Sequence, residues 1–113
     1  MALINAKMGG GSAAPSVSSV NYGANIYDPT SISQSNAGKM DLVAMPGPYT
    51  NLSGSISGQS SDCYEYGVKK DGTIYTNHVT AAPYTFNIDL TDYLLYVIQP
   101  GSGSNYSVSA TLS

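Results

Sequence analysis

Apolar and polar side chains alternate along much of this chain, most strictly in its C-terminal half. Every second residue is apolar from 84 to 90, and the same period returns from 106 to 112. A period of two is typical of a β-strand with one face buried and the other in water. The segment 93–98 is apolar on both faces, which predicts a central strand.

The N-terminal half carries weaker versions of the same pattern. Further strands are predicted over 20–26, 39–45, 52–58, 64–68 and 73–79. The glycines of the segment 52–58 predict that this strand is bulged or peripheral. Asp71 and Gly72 lie between the last two segments and are typical of a tight hairpin turn. We therefore expect these two segments to pair with each other.

Together these strands predict an all-β domain, an antiparallel β-sandwich of about seven strands. The last three strands resemble strands E, F and G of an immunoglobulin-like domain. The spacing from Asp92 to Tyr96 resembles the corner in which a tyrosine hydroxyl bonds back to the preceding connection. The chain lacks the paired cysteines and the tryptophan of antibody-type domains. A jelly roll is the alternative topology.

The first fifteen residues differ from the rest of the chain. A short apolar segment is followed by the Gly-rich, Ser-containing spacer 9–15, which is a flexible tether by composition. We interpret 1–15 as an N-terminal arm that adds a strand to a partner, and 16–113 as the sandwich domain. The arm's candidate contact residues are Ala2, Leu3, Ile4 and Met8. A frayed terminus and a cloning linker are the alternatives.

Length and charge narrow the classes of function. The chain has 113 residues, the size of one domain. Only 10% of its residues are charged, against about 25% in an average soluble protein. The net charge is −3, arginine is absent and the lysines form no basic stripe. We therefore expect no nucleic-acid binding and no polybasic membrane anchor.

Targeting signals are also missing from the sequence as given. Residues 1–8 lack the basic and apolar regions of a signal peptide. No apolar run approaches the roughly 20 residues of a membrane-spanning helix. The sequence therefore predicts synthesis in a cytoplasm without export by the usual route, and no membrane partner.

Candidate catalytic chemistry is sparse. His78 is the one histidine, and no Gly-x-Ser-x-Gly motif accompanies it. Glu65 with a neighbouring aspartate is a conceivable glycosidase pair, but no spacing supports it. Cys63 is the one cysteine and is predicted to be a small buried residue, with an intermolecular disulfide or a reactive thiol as the alternative. We expect no enzyme activity, no metal and no cofactor.

The ten tyrosines suit a binding surface better, because tyrosine supplies large contact area at low entropic cost. Core packing is predicted for Tyr84, Tyr93, Tyr96 and Tyr106. Possible platforms for sugar rings are Tyr22, Tyr49, Tyr64, Tyr66, Tyr75 and Tyr84. A glycan would be held by the loops 46–51, 69–72 and 100–105, with candidate ligands Tyr49, Asn51, Lys69, Lys70, Asp71 and Asn105.

The apolar arm, its tether and the uncharged, hydroxyl-rich sandwich resemble small virion accessory proteins of tailed bacteriophages. That group includes capsid decoration proteins, head fibres and tail-associated immunoglobulin-like modules. The resemblance implies a non-enzymatic structural role in the virion, reached after synthesis in the host cytoplasm. It also implies a homo-oligomer or many copies in a symmetric assembly, bound to the major capsid protein or another virion protein. The alternative is a carbohydrate-binding adhesin or lectin-like module that binds a surface glycan.

Overall fold

The computed structural model describes residues 15–21, 30–37, 40–59, 62–101 and 103–113. Nine β-strands run through these ranges, and no helix occurs within them. In chain order they are β1 Ser16–Asn21, β2 Ser31–Ala37, β3 Met40–Met45, β4 Asn51–Gln59, β5 Cys63–Lys69, β6 Ile74–Val79, β7 Tyr84–Asp89, β8 Tyr93–Pro100 and β9 Gly103–Leu112. None of the described residues belongs to a helix that could cross a membrane.

The strands form two antiparallel sheets, which confirms the predicted β-sandwich. Sheet A has the order β1-β3-β8-β5-β6, and sheet B has the order β2-β9-β4-β7. From β2 onward each strand lies in the sheet opposite to its predecessor, except that β5 and β6 are neighbours in sheet A. Eight strands in this double Greek-key order form a jelly roll, and β1 extends sheet A beside β3.

This strand order selects the jelly roll over the immunoglobulin-like arrangement. In the immunoglobulin fold the last two strands share one sheet, whereas here β8 lies in sheet A and β9 in sheet B. The expected tyrosine corner is also absent, because the Tyr96 hydroxyl donates instead to the Glu65 carboxylate at 2.6 Å. Glu65 belongs to β5 and not to the preceding connection.

The nine described strands outnumber the about seven expected, because the sequence pattern does not predict β2 and predicts β1 only at its end. Both strands are rich in serine, and β1 buries Ser16 and Ser18 as well as Val17. Buried serines remove the contrast between apolar and polar positions on which a period of two depends. The predicted strand over 20–26 overlaps the end of β1, and its remainder lies outside the described residues, as do Ala2, Leu3, Ile4 and Met8 of the proposed arm.

Other predictions are confirmed. The Asp71–Gly72 turn joins β5 to β6 in one hairpin, and β8 is the middle strand of sheet A. The alternation of β7 buries Phe86 and leaves Thr85 and Asn87 exposed. The core also buries Tyr96 and Tyr106, and Tyr84 and Tyr93 pack against it.

The segment 52–58 is bulged as predicted, but it is not peripheral. β4 lies between β9 and β7 in sheet B, and its register with β9 shifts between Ser57 and Gln59. Leu52 and Ile56 are completely buried. The glycine between them permits this central position, because a Cβ atom on Gly54 would lie 1.9 Å from the backbone oxygen of Ser109. Glycine here marks a close approach of two backbones.

Candidate functional site

The outer face of sheet B carries short hydroxyl and amide side chains. The strand registers place them in rows that cross all four strands. One row contains Ser31, Thr111, Ser53 and Asn87, and the next contains Ser33, Ser109, Ser55 and Thr85. These rows present small, uncharged, polar side chains to solvent.

The outer face of sheet A has a different composition. One row across its five strands contains Ser18, Val43, Val97, Tyr66 and Thr76, and a neighbouring row contains Leu95, Val68 and Ile74. Three of the large apolar side chains that remain exposed in the described part of the chain lie on this face: Tyr64 at 46%, Tyr66 at 40% and Ile74 at 49%. The outer face of sheet A is therefore aromatic and aliphatic, in contrast to sheet B.

An aromatic pair marks one end of this face. Tyr64 of β5 lies opposite His78 of β6 in the ladder, and their rings stack with centroids 4.6 Å apart and planes 5° from parallel. His78 Nε2 donates a hydrogen bond to Asp62 Oδ1 at 3.2 Å. The carboxylate thereby fixes the orientation of the imidazole, and the imidazole supports the tyrosine ring.

A shallow depression of about 440 Å³ lies beside this pair. Its lining consists of Tyr64, Tyr66, Thr76, His78, Gln99, Glu65 and Asn77. Gln99 is held by the hydrogen bond from its Nε2 to Asp41 Oδ2 at 3.3 Å. Two tyrosine rings flanked by an amide, a hydroxyl and an imidazole form a surface that can stack on flat groups and exchange hydrogen bonds with them.

On the opposite face of β5, Glu65 is buried at 4% exposure. Its carboxylate accepts hydrogen bonds from the Tyr96 hydroxyl at 2.6 Å and from the Tyr84 hydroxyl. Tyr96 belongs to sheet A and Tyr84 to sheet B, so the carboxylate ties the two sheets together. A buried carboxylate needs such donors because desolvation disfavours its charge.

The two tyrosines respond to this environment. Burial, followed by the hydrogen bond to Glu65, raises the pKa of Tyr96 far above its usual range. The same causes in the same order raise the pKa of Tyr84. Both phenols therefore keep their protons and act as donors, and Glu65 serves as a structural acceptor between the sheets rather than as half of an accessible carboxyl pair.

The three loops proposed as a glycan site do not converge. Loops 46–51 and 69–72 lie at one end of the sandwich, where Leu90 N donates to Thr50 O at 2.7 Å and Lys70 N donates to Asp92 O at 2.8 Å. The loop 100–105 follows β8 and so lies at the other end, where Gly101 N donates to Asp62 O. The candidate ligands are thus divided between two ends of the molecule.

Within these ends the candidate residues have different surroundings. Tyr49 packs against the core, and the backbone of Asn51 pairs with Ser113. Asn105 pairs with Ala37 in the ladder. Lys69, Lys70, Asp71 and Asp92 line a hollow of about 190 Å³. Its two lysines and two aspartates balance each other, so this hollow offers no excess of either charge to a ligand.

Asp71 has a local structural role in this hollow. Its carboxylate accepts hydrogen bonds from the hydroxyl and the backbone N–H of Thr73, at 2.7 and 3.0 Å. These two bonds lower the pKa of Asp71. The arrangement is an Asx turn, and it orders the β5–β6 hairpin.

His78 and Asp62 are the described groups nearest to catalytic chemistry, since an imidazole oriented by a carboxylate is part of many acyl-transfer sites. Here the imidazole Nε2 faces the carboxylate and the ring face lies on Tyr64. Among the described residues no group of three histidine, cysteine or acidic side chains could hold a metal ion. The geometry of these described residues accounts for a stacked, oriented ring.

The sequence predicts Tyr64 and Tyr66 as platforms for sugar rings, but it does not locate the depression. β5 buries Cys63, Glu65 and Gly67 and turns the two tyrosines outward. The available signal was the pair of small or polar residues in phase with Cys63, which leaves the bulky residues for the other face.

No family model matches the chain, and neither a curated protein nor a solved structure resembles it significantly.

Proposed function

We propose that the protein is a non-enzymatic structural subunit of a large assembly, docked onto neighbouring subunits through the outer face of sheet A. The observation that carries the proposal is the contrast between the two outer faces. Sheet B presents rows of serine, threonine and asparagine, whereas sheet A leaves Tyr64, Tyr66 and Ile74 between 40% and 49% exposed. A concentration of exposed large apolar side chains on one outer face is characteristic of an interaction site.

The composition of the face suits a protein partner. Protein interfaces are enriched in tyrosine and aliphatic anchors and depleted of lysine, glutamate and aspartate at their centres. The rows through Val97 and Leu95 are free of charged side chains in the described part of sheet A. Their desolvation therefore costs little, and the tyrosine rings supply contact area with few rotatable bonds.

A virion is the assembly that the sequence resemblance favours. Jelly rolls occur in viral capsid proteins and also in lectins, so the fold agrees with this role only by analogy. In a virion the apolar segment containing Leu3 and Ile4 would attach the subunit to the major capsid protein or another shell protein. The tyrosine face of sheet A would then contact neighbouring subunits.

The test is a comparison of two double variants in native material. Tyr64→Ser with Tyr66→Ser removes both exposed rings from sheet A. Thr85→Ser with Asn87→Ser is the matched control on the exposed positions of sheet B. We expect wild type and control to co-migrate with a megadalton particle when the source lysate is fractionated without denaturant, and the tyrosine variant to appear in the free fraction. Co-migration of the tyrosine variant at the wild-type level would refute docking through this face.

A second candidate function is glycan binding in the depression beside Tyr64. The observation that favours it is the stack of Tyr64 on His78 next to the amide of Gln99. Aromatic rings stack on the apolar faces of sugars, while amide and hydroxyl groups pair with sugar hydroxyls. Under this function a neutral oligosaccharide would contact the sheet face and not the loops proposed from the sequence.

Ligand-dependent stabilisation distinguishes this function from protein docking. A ligand that binds only the folded state raises the free energy of unfolding by RT ln(1 + [L]/Kd), about 2.7 kcal/mol at a hundredfold excess over Kd. We expect a panel of neutral oligosaccharides to raise the melting temperature of wild type and of the Thr85→Ser control, but not that of Tyr64→Ala. An unchanged melting temperature with every sugar would exclude this function for the compounds in the panel.

A further inference from the structure

Strand β6 is an edge strand of sheet A in the part of the chain that the structure describes. Its neighbour is β5, and the side chains from Ile74 to His78 are all exposed. Sheet A has five strands and sheet B has four, and the exposure of Tyr75 and Asn77 on the inner side of β6 shows that sheet B does not cover this strand. Tyr75 on the inner side is 36% exposed and Ile74 on the outer side is 49% exposed. β6 therefore has apolar surface uncovered on both of its faces.

Most natural edge strands are protected against pairing by lysine, proline, a bulge or an inward charge. β6 has none of these features. Its sequence IYTNHV contains no lysine, proline or acidic residue, and its register with β5 continues without a shift from Cys63 to Val68. The β7 edge of sheet B differs, because it follows Pro83 and ends at Asp89. An uncharged, regular and exposed edge is suited to strand addition.

The ladder shows which backbone groups of β6 point away from β5. Lys69 N donates to Thr73 O at 2.9 Å, so these two residues form a hydrogen-bonded pair at the turn. Hydrogen-bonded and non-hydrogen-bonded pairs alternate along an antiparallel ladder. Ile74, Thr76 and His78 therefore form non-hydrogen-bonded pairs with β5. Their own N–H and C=O groups point away from β5, in the plane of the sheet. No described strand pairs with these three residues on that side, so they form the backbone edge.

We propose that this edge pairs with β6 of a second copy of the chain, antiparallel, about a two-fold axis that is perpendicular to the sheet and passes midway between the two Thr76 residues. In this register Thr76 lies opposite Thr76 of the second copy, and Ile74 lies opposite His78 of the second copy. The N–H and C=O groups of Ile74, Thr76 and His78 that point away from β5 then all have partners in the second copy. The two-fold axis keeps outer faces on the same side, so the two sheets A become one continuous ten-stranded sheet. The inference deepens the proposed function, since it names one of the subunit contacts.

A second copy fits this edge because the strand is self-complementary. No charged side chain of β6 faces its equivalent, and the apolar Ile74 packs beside the imidazole of the other copy. The two aromatic depressions come onto one surface, with their β5 strands about 14 Å apart, three strand spacings of roughly 4.8 Å. The interface is isologous, as in most soluble dimers.

Cysteine cross-linking of the full chain tests the register. Opposed Cα atoms in a hydrogen-bonded antiparallel pair are about 5.5 Å apart, within the roughly 4.4–6.8 Å that a disulfide spans. We expect Thr76→Cys to give a disulfide-linked dimer under mild oxidation. Thr85→Cys, on the exposed side of β7, is the matched control and should stay monomeric on a non-reducing gel. Equal cross-linking of the two variants would overturn the proposal.

A charge substitution tests the interface in solution. Thr76→Lys places two ammonium groups together on the axis while leaving the hydrogen bonds to β5 in place. We expect the sedimenting mass to fall from dimer to monomer with the melting temperature of the fold retained, and Thr85→Lys to remain dimeric. A monomeric wild type, or a dimeric Thr76→Lys, would overturn the proposal. So would loss of the dimer on deletion of residues 2–14, since the arm would then be the occupant of the edge.

These results are separable from those of the proposed function. The Tyr64→Ser, Tyr66→Ser variant changes the outer face and leaves the β6 backbone edge unaltered, so it should remain dimeric while losing the assembly. A dimer that never enters a large particle would contradict the proposed function and support the edge pairing. If the Thr76→Lys variant is monomeric and is still incorporated normally into the particle, the result would support the proposed function and contradict the edge pairing.

Discussion

Replacement of Tyr96 by phenylalanine tests whether the buried carboxylate of Glu65 depends on its tyrosine donors. Tyr96 is 3% exposed, and its hydroxyl donates to Glu65 Oε1 at 2.6 Å. The substitution removes one oxygen atom and keeps the ring. Glu65 then retains the Tyr84 hydroxyl on its other oxygen and loses one donor in a site that water does not reach freely.

The size of the effect follows from the burial of the acceptor. A hydrogen bond to a charged group contributes about 1.5–3 kcal/mol, and an unsatisfied buried partner makes its removal more costly. We therefore expect Tyr96→Phe to lower the free energy of unfolding by about 2–3 kcal/mol. For a domain of this length that change corresponds to a fall of roughly 8–12 °C in melting temperature.

Urea denaturation at neutral pH measures this loss directly. Small domains have m-values of about 1–3 kcal/mol per molar urea, so the midpoint should fall by roughly 1–2 M with m unchanged. Tyr66→Phe is the matched control, because it makes the same chemical change on a side chain that is 40% exposed. Its effect should stay within about 0.5 kcal/mol.

Equal stabilities of Tyr96→Phe and Tyr66→Phe would refute the reasoning, because the Glu65 carboxylate would then not require the Tyr96 hydroxyl. A large loss accompanied by a changed m-value would point to an altered compactness of one state. In that case the hydrogen bond would not be the cause.

Three further outcomes follow from the structure. The pKa values of Tyr84 and Tyr96 are raised in the folded state, so the two phenols contribute their full stability below pH about 10. Above that pH the contribution is lost by about 1.4 kcal/mol per pH unit for each phenol that stays protonated in the folded state. In alkaline urea titrations the free energy of unfolding should therefore decline less steeply for Tyr96→Phe than for wild type. Gly54→Ala should cost at least about 3 kcal/mol in a urea titration, because the new Cβ would lie 1.9 Å from Ser109 O. Gly72→Ala, at φ +91° with open space around it, should cost only about 1 kcal/mol; similar losses for both glycines would contradict the steric argument.

The strands that sequence patterns predict well are those with a strong contrast between their two faces. β7 has Phe86 buried between exposed threonine and asparagine, and its period of two was plain. β1 has no such contrast, because Ser16 and Ser18 are buried beside Val17, and β2 (SISQSNA) has Ile32 as the one large apolar side chain that could mark a buried face. A serine can satisfy its hydroxyl within the protein, so its presence does not reveal which side of a strand meets water.

The topology and the candidate site depend on information that local patterns do not contain. The hairpin at Asp71 and Gly72 was predictable because its turn chemistry is local. Connections that cross between sheets have similar lengths in a jelly roll and in an immunoglobulin-like sandwich. The position of β9 was therefore not predictable from the lengths of the connections. The outward direction of Tyr64 and Tyr66 depends on Glu65 meeting tyrosines from two other strands, a contact between residues far apart in the sequence.

The position of β9 has a consequence for how the chain folds. β9 lies between β2 and β4 in sheet B, and β2 has β9 as its neighbour in that sheet. Ser31 pairs with Thr111, so nearly the whole domain separates the two partners in sequence. Folding slows as contacts become more distant along the chain, into the millisecond-to-second range for β-sandwiches. We therefore expect the insertion of β9 between β2 and β4 to limit the folding rate. Before β9 has inserted, the edges of β2 and β4 are unpaired and can associate with other chains.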